Sequence, residues 1–139
     1  MYKALIIGAE SIGGLIDSPT SKTIASHAHA YLKHPDTKLT ALCESSELNV
    51  FAFMERWGEM DHYSSVDAIG SEEYDIVSVA SKTSSHFHDL AALLKRSDMP
   101  MIVCEKPLVG TIEELSSLSS LLEYSNKKRS MKESKKVEE

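Results

Sequence analysis

LIIGAESIGG, residues 5–14, is the stretch on which the fold turns. An apolar run that breaks at a glycine and meets two more has the form of a strand entering a phosphate-binding turn. Gly8 and Gly13 let the backbone bend there and let the next helix sit close. Glu10 is the misfit. It stands where GxGxxG has its middle glycine, the position at which main-chain atoms approach a pyrophosphate, and a carboxylate adds bulk and like charge. Turned toward solvent, Glu10 would still leave the backbone amides of Ser11 and Ile12 facing phosphate.

The chain has 139 residues, 42% hydrophobic and 26% charged, with a formal net charge of −6. This length holds one core and this composition belongs to globular chains. The apolar N-terminal stretch ends at Glu10, too soon for a signal-sequence core or a membrane span, so a cytoplasmic protein with no membrane partner is expected. Net negative charge opposes general affinity for nucleic acid. The charge is uneven: residues 125–139 hold six Lys/Arg and three Glu, against nine Lys/Arg and eighteen acidic residues before them. The tail SNKKRSMKESKKVEE is therefore a separate compositional piece, expected to be a solvated helix end fraying into disorder, and 1–124 is the expected domain.

Outward from the glycine turn, short apolar runs alternate with helix-like stretches. Strands are expected at 2–8, 38–44, weakly near 62, at 74–81 and at 99–105; helices at 22–33, 46–57, 84–96 and 111–124. Several strands are apolar on successive residues, which suits burial on both faces of a parallel sheet. Thr111 and Glu114 form a capping-box pair and Gly58 stops the second helix. The alternation predicts an α/β fold, a Rossmann-like doubly wound parallel sheet with right-handed crossovers.

In such sheets the ligand lies beyond the carboxyl ends of the strands. The positions there are Gly8 to Gly13, Glu44 to Ser46, Ser81 to His86 and Glu105 to Pro107, so Gly8, Ser11, Ile12, Gly13, Glu44, Ser81, Thr83 and Glu105 are expected to contact a cofactor. Glu44 closes the second strand, where an acid accepts hydrogen bonds from ribose hydroxyls and repels a 2'-phosphate; NAD is expected in preference to NADP. Gly13 and Glu44 stand farther apart than the usual spacing of about 20 residues, and the excess sits in IDSPTSKT, read as a surface-loop insertion. No metal site is expected: His27 and His29, two apart on a helix, point in nearly opposite directions, as do His86 and His88. In a sheet ordered 3-2-1-4-5, Cys43 and Cys104 stand about 14 Å apart, beyond a disulfide's reach.

YDIVSVASKTSSHFHDLAALL and MIVCEKPLVGTIEEL, together with LIIGAESIGG and LTALCESSELNVFAFMERWG, resemble the N-terminal half of the Gfo/Idh/MocA oxidoreductases. These are NAD(P)-dependent enzymes acting mostly on sugars, cyclitols and their derivatives. The resemblance covers roughly residues 1–124, and its most specific element is Glu105-Lys106-Pro107 between a strand read as buried and a helix, with His86 upstream. It implies that Lys106 is the catalytic residue, lying beside nicotinamide and substrate and also contacting cofactor, and that His86 is cofactor-binding. An ammonium near the carbinol oxygen would stabilise developing negative charge, and Pro107 biases Lys106 away from helical torsions.

Glu10 and Lys82 depart from the family pattern. The larger departure is at the end: family members continue into a sixth strand and a second domain that forms the substrate pocket and usually the subunit interface. No strand-like run follows here, so a sheet truncated before its sixth strand is expected. Three readings follow. The leading one is the dinucleotide-binding part of such a dehydrogenase, with NAD(H) and a carbohydrate-like substrate as partners and a homo-oligomer allowed by the resemblance. The others are a stand-alone, non-catalytic nucleotide-binding or partner-binding module, and a related domain with different chemistry.

Overall fold

The computed structural model describes residues 1–138; the last tail residue, Glu139, lies outside them. Five strands, β1 (Tyr2–Ile7), β2 (Thr37–Cys43), β3 (Asp61–Tyr63), β4 (Ile76–Val79) and β5 (Met101–Cys104), form one sheet in the order β3-β2-β1-β4-β5. All four pairings are parallel. The order reverses at β1, which places the crevice between the β1 and β4 tips, where a doubly wound sheet takes its ligand.

The successive apolar residues of β1 explain why both faces are covered. Leu5 and Ile7 join Val77, Val79, Leu90, Leu93 and Leu118 in one core cluster, while Ile6 joins Leu42, Ala28 and Phe53 in the other. The first cluster is closed by α3 (Thr83–Leu94) and α4 (Ile112–Glu138), the second by α1 (His27–Lys33) and α2 (Glu47–Trp57). Phe53 is fully buried, and truncating such a side chain to alanine costs about 3–5 kcal/mol.

Three expectations are corrected. The helix expected from residue 22 begins at His27, because the Asp17 carboxylate holds the N–H groups of Ala25 (2.8 Å) and Ser26 (3.2 Å), and the Ser26 hydroxyl caps the helix at the His29 N–H. The segment read as a surface insertion is thus anchored by a buried residue, Asp17. The helix expected to end at 124 runs on to Glu138, so the compositional boundary is not a boundary of secondary structure. Finally, β5 is not buried on both faces. As the sheet's edge it packs only Ile102 and Cys104 against the core and leaves Met101 and Val103 exposed.

Candidate functional site

At the carboxyl end of the sheet the strand tips open into a cleft of about 670 Å3. Every predicted site residue lines it except Gly13. Gly13 serves the turn from beneath: a Cβ there would lie 1.8 Å from the Gly8 carbonyl oxygen, and one on Gly8 would lie 2.6 Å from the Ser81 nitrogen. Gly8 also has φ of +95°, a conformation costly to any other residue. Only glycines let the β1 and β4 tips approach this closely.

The turn Ser11–Gly13 is a single 3-10 turn. Its first N–H groups have no intrahelical partner, and those of Ser11 and Ile12 find no protein acceptor among the described residues. Glu10, whose side chain is exposed, borders the same cleft.

Glu44 carries a further role that its position in the sequence does not reveal. Its Oε1 accepts the Ala9 N–H at 3.0 Å and its Oε2 the Ser46 N–H at 2.9 Å, so the acid at the end of β2 braces the glycine turn. A carboxylate has about four lone-pair sites, so both oxygens retain capacity for ribose hydroxyls. The signal could not have been local, because Ala9 and Glu44 lie 35 positions apart.

His86 is buried, and each ring nitrogen faces a backbone carbonyl: Nδ1 lies 2.9 Å from Pro107 O and Nε2 2.8 Å from Ser81 O. His86 thus braces the turn after β4 against the Glu-Lys-Pro turn after β5 while it lines the cleft. His88 has a largely exposed side chain at the cleft's rim.

Beneath this brace the Ser81 hydroxyl donates to Asp89 at 2.7 Å. Burial raises the Asp89 carboxyl above the ordinary carboxylate range, while the Ser81 bond and the charges of His88 and His86 pull it back. Burial also pushes the Cys43 thiol up to about 12, with Asp89, Glu44 and Asp67 adding to it. The Cys104 thiol is raised by burial and by Glu105 and Asp89. Both cysteines are free and neither is a thiolate nucleophile at neutral pH.

Lys106 is exposed in the cleft, with no ion pair or hydrogen bond from its ammonium among the described residues. Glu105 beside it is held by His27, whose Nε2 lies 2.7 Å from Glu105 Oε1. Among the described residues no group of three or more His, Cys, Asp or Glu is placed to hold a metal. No helix there is long and apolar enough to cross a membrane.

A glycine turn with open N–H groups, an acid closing β2 and a cleft at the strand-order reversal define a dinucleotide-binding domain. The Gfo/Idh/MocA pattern, described as an oxidoreductase family with an NAD-binding Rossmann fold, matches residues 4–133. The chain belongs to that family, and NAD is the cofactor its domain is built for. No curated protein matches the sequence.

Among solved structures, the chain is similar to myo-inositol 2-dehydrogenase from Lactobacillus plantarum, with 21% identity, a TM-score of 0.69 and coverage of 89% of this chain and 33% of that one. It is similar to scyllo-inositol dehydrogenase from Lactobacillus casei, solved with NAD(H) and scyllo-inositol, with 16% identity, a TM-score of 0.69 and coverage of 91% and 34%. It is also similar to biliverdin reductase from Synechocystis sp. PCC 6803, solved with biliverdin and NADP+, with 21% identity, a TM-score of 0.69 and coverage of 90% and 35%. The chain thus spans about a third of the length of the structures it matches.

Proposed function

We propose that this chain is the NAD-binding part of an oxidoreductase that acts on a hydroxyl-bearing carbon of a sugar, cyclitol or sugar nucleotide, with Lys106 at the reacting oxygen. The observation that carries this reading is that Lys106 and Glu44 line one cleft with the glycine turn between them in the sheet. Bound NAD supplies the acceptor for the hydride that leaves the carbinol carbon. The chain's own residues do the rest. The N–H groups of Ser11 and Ile12 meet the pyrophosphate, Glu44 takes the adenosine ribose hydroxyls, and Ser81 and Thr83 line the wall between β4 and α3. Lys106, an ammonium with no competing protein partner among the described residues, stabilises negative charge developing on the substrate oxygen. The two inositol dehydrogenases among the similar structures support the cyclitol class. The biliverdin reductase on the same fold marks it as a reading of the site rather than of the fold.

Glu44 favours NAD, because a 2'-phosphate would meet its carboxylate. Calorimetric titration of the chain with NADH and NADPH tests the reading: tighter binding of NADH is expected, and absence of heat with both would remove it.

A further inference from the structure

The partner of Glu105 comes from far away in sequence. His27, the first residue of α1, reaches across 78 positions to place Nε2 at 2.7 Å from Glu105 Oε1. The side chains are 14% and 32% exposed, so the pair is half shielded from water and screened less than a surface contact. Glu105 lines the cleft and His27 does not. Among the described residues, Glu105 Oε2 accepts no hydrogen bond from protein. The carboxylate is therefore held by one oxygen from outside the cleft and free at the other.

The aim of His27 is itself built in. Asp17 holds the N–H groups of Ala25 and Ser26 and lies 2.9 Å from His29 Nδ1, fixing the start of α1 on both sides of His27. Residues two apart on a helix point in nearly opposite directions. His29 is fully buried toward the Asp17 anchor, which leaves His27 turned to Glu105.

We infer that His27 is a positioning residue for cofactor binding: by holding Oε1 it fixes the Glu105 carboxylate so that Oε2 meets a hydroxyl donor of the bound dinucleotide. An unheld glutamate samples several rotamers, and binding would have to order it. The anchored loop before α1 acquires a function through this contact. The inference rests on the cofactor function proposed above.

The test is titration of the full chain with NADH, comparing wild type, His27→Ala, His27→Gln, Glu105→Ala and the double variant His27→Ala/Glu105→Ala. His27→Ala is expected to weaken binding about five- to tenfold. His27→Gln, whose amide N–H can replace the Nε2 donor, should return it to within about twofold of wild type. In the Glu105→Ala background the loss of His27 should add nothing, because its only route to the cofactor is gone. Wild-type affinity in His27→Ala overturns the inference, as do losses that multiply in the double variant or a His27→Gln variant as weak as His27→Ala. If wild type binds neither NADH nor NADPH, the cofactor function fails and the inference falls with it. Binding by wild type with no effect of His27 removes the inference alone.

Discussion

A single carboxylate at the end of β2 serves two purposes, and they can be separated. Glu44 braces the Ala9 N–H and, in the proposed complex, excludes a 2'-phosphate by charge. Glu44→Gln keeps one carbonyl oxygen for the brace and removes the charge. The ratio of NADPH to NADH dissociation constants, measured by calorimetry, should fall by about tenfold. Glu44→Ala loses the brace as well and should weaken both cofactors. The glycines make a sharper contrast. Gly13→Ala drives a methyl into the Gly8 carbonyl and should lower stability by more than about 3 kcal/mol in denaturant titration. Gly58→Ala, at φ of +99° with open space around it, should cost about 1 kcal/mol. For Lys106→Met we expect NADH affinity within about threefold of wild type and any turnover of a hydroxyl-bearing substrate reduced by about 10²-fold or more, checked by titration and steady-state kinetics.

At the scale of elements, the loop before α1 decides where that helix begins. Taken alone, burial would raise the Asp17 carboxyl; bonds from the Ser26 hydroxyl, the N–H groups of Ala25 and Ser26, and His29 outweigh it and hold the group at about 2. A carboxylate depressed on folding contributes stability that is complete above its unfolded value, near 3.8, and is lost as pH falls through its folded value. Asp17→Asn should therefore cost about 1–3 kcal/mol at neutral pH, and its gap from wild type should close between pH 4 and pH 2 in denaturant midpoints. A gap of constant size over that range would assign the cost to packing instead. The sequence marked a proline-containing polar loop here and no more. Its anchoring depends on Asp17 folding back onto residues eight and nine positions away and onto buried His29, whose ring lies against Trp57. The edge strand shows the same limit. MIVC reads as apolar throughout, but only Ile102 and Cys104 have a layer to pack against, so Met101 and Val103 remain exposed.

Across the whole molecule, strand tips far apart in the chain converge because parallel strands joined by right-handed crossovers all end on the same side. Runs of consecutive apolar residues require cover on both faces, and the alternation with helical stretches admits one kind of sheet. The order β3-β2-β1-β4-β5, and with it the strand-tip positions that line the cleft, was therefore legible in the sequence, whereas Asn49, Ser64, Ser65 and Asp89, which line it from α2, the turn after β3 and α3, were not. Local backbone chemistry was legible too, since Gly8 and Gly13 mark a turn that side chains cannot enter. By itself the sequence determined the layer architecture, the ligand edge and the residues standing on it, because those follow from hydrophobic period and chain direction. Only the tertiary structure decided how those residues are held: Glu44 on the Ala9 N–H, His86 between two carbonyls, and Glu105 on His27. Such bonds join groups whose separation in the chain carries no information about their separation in space, and only the packed sheet and helices bring them within 3 Å.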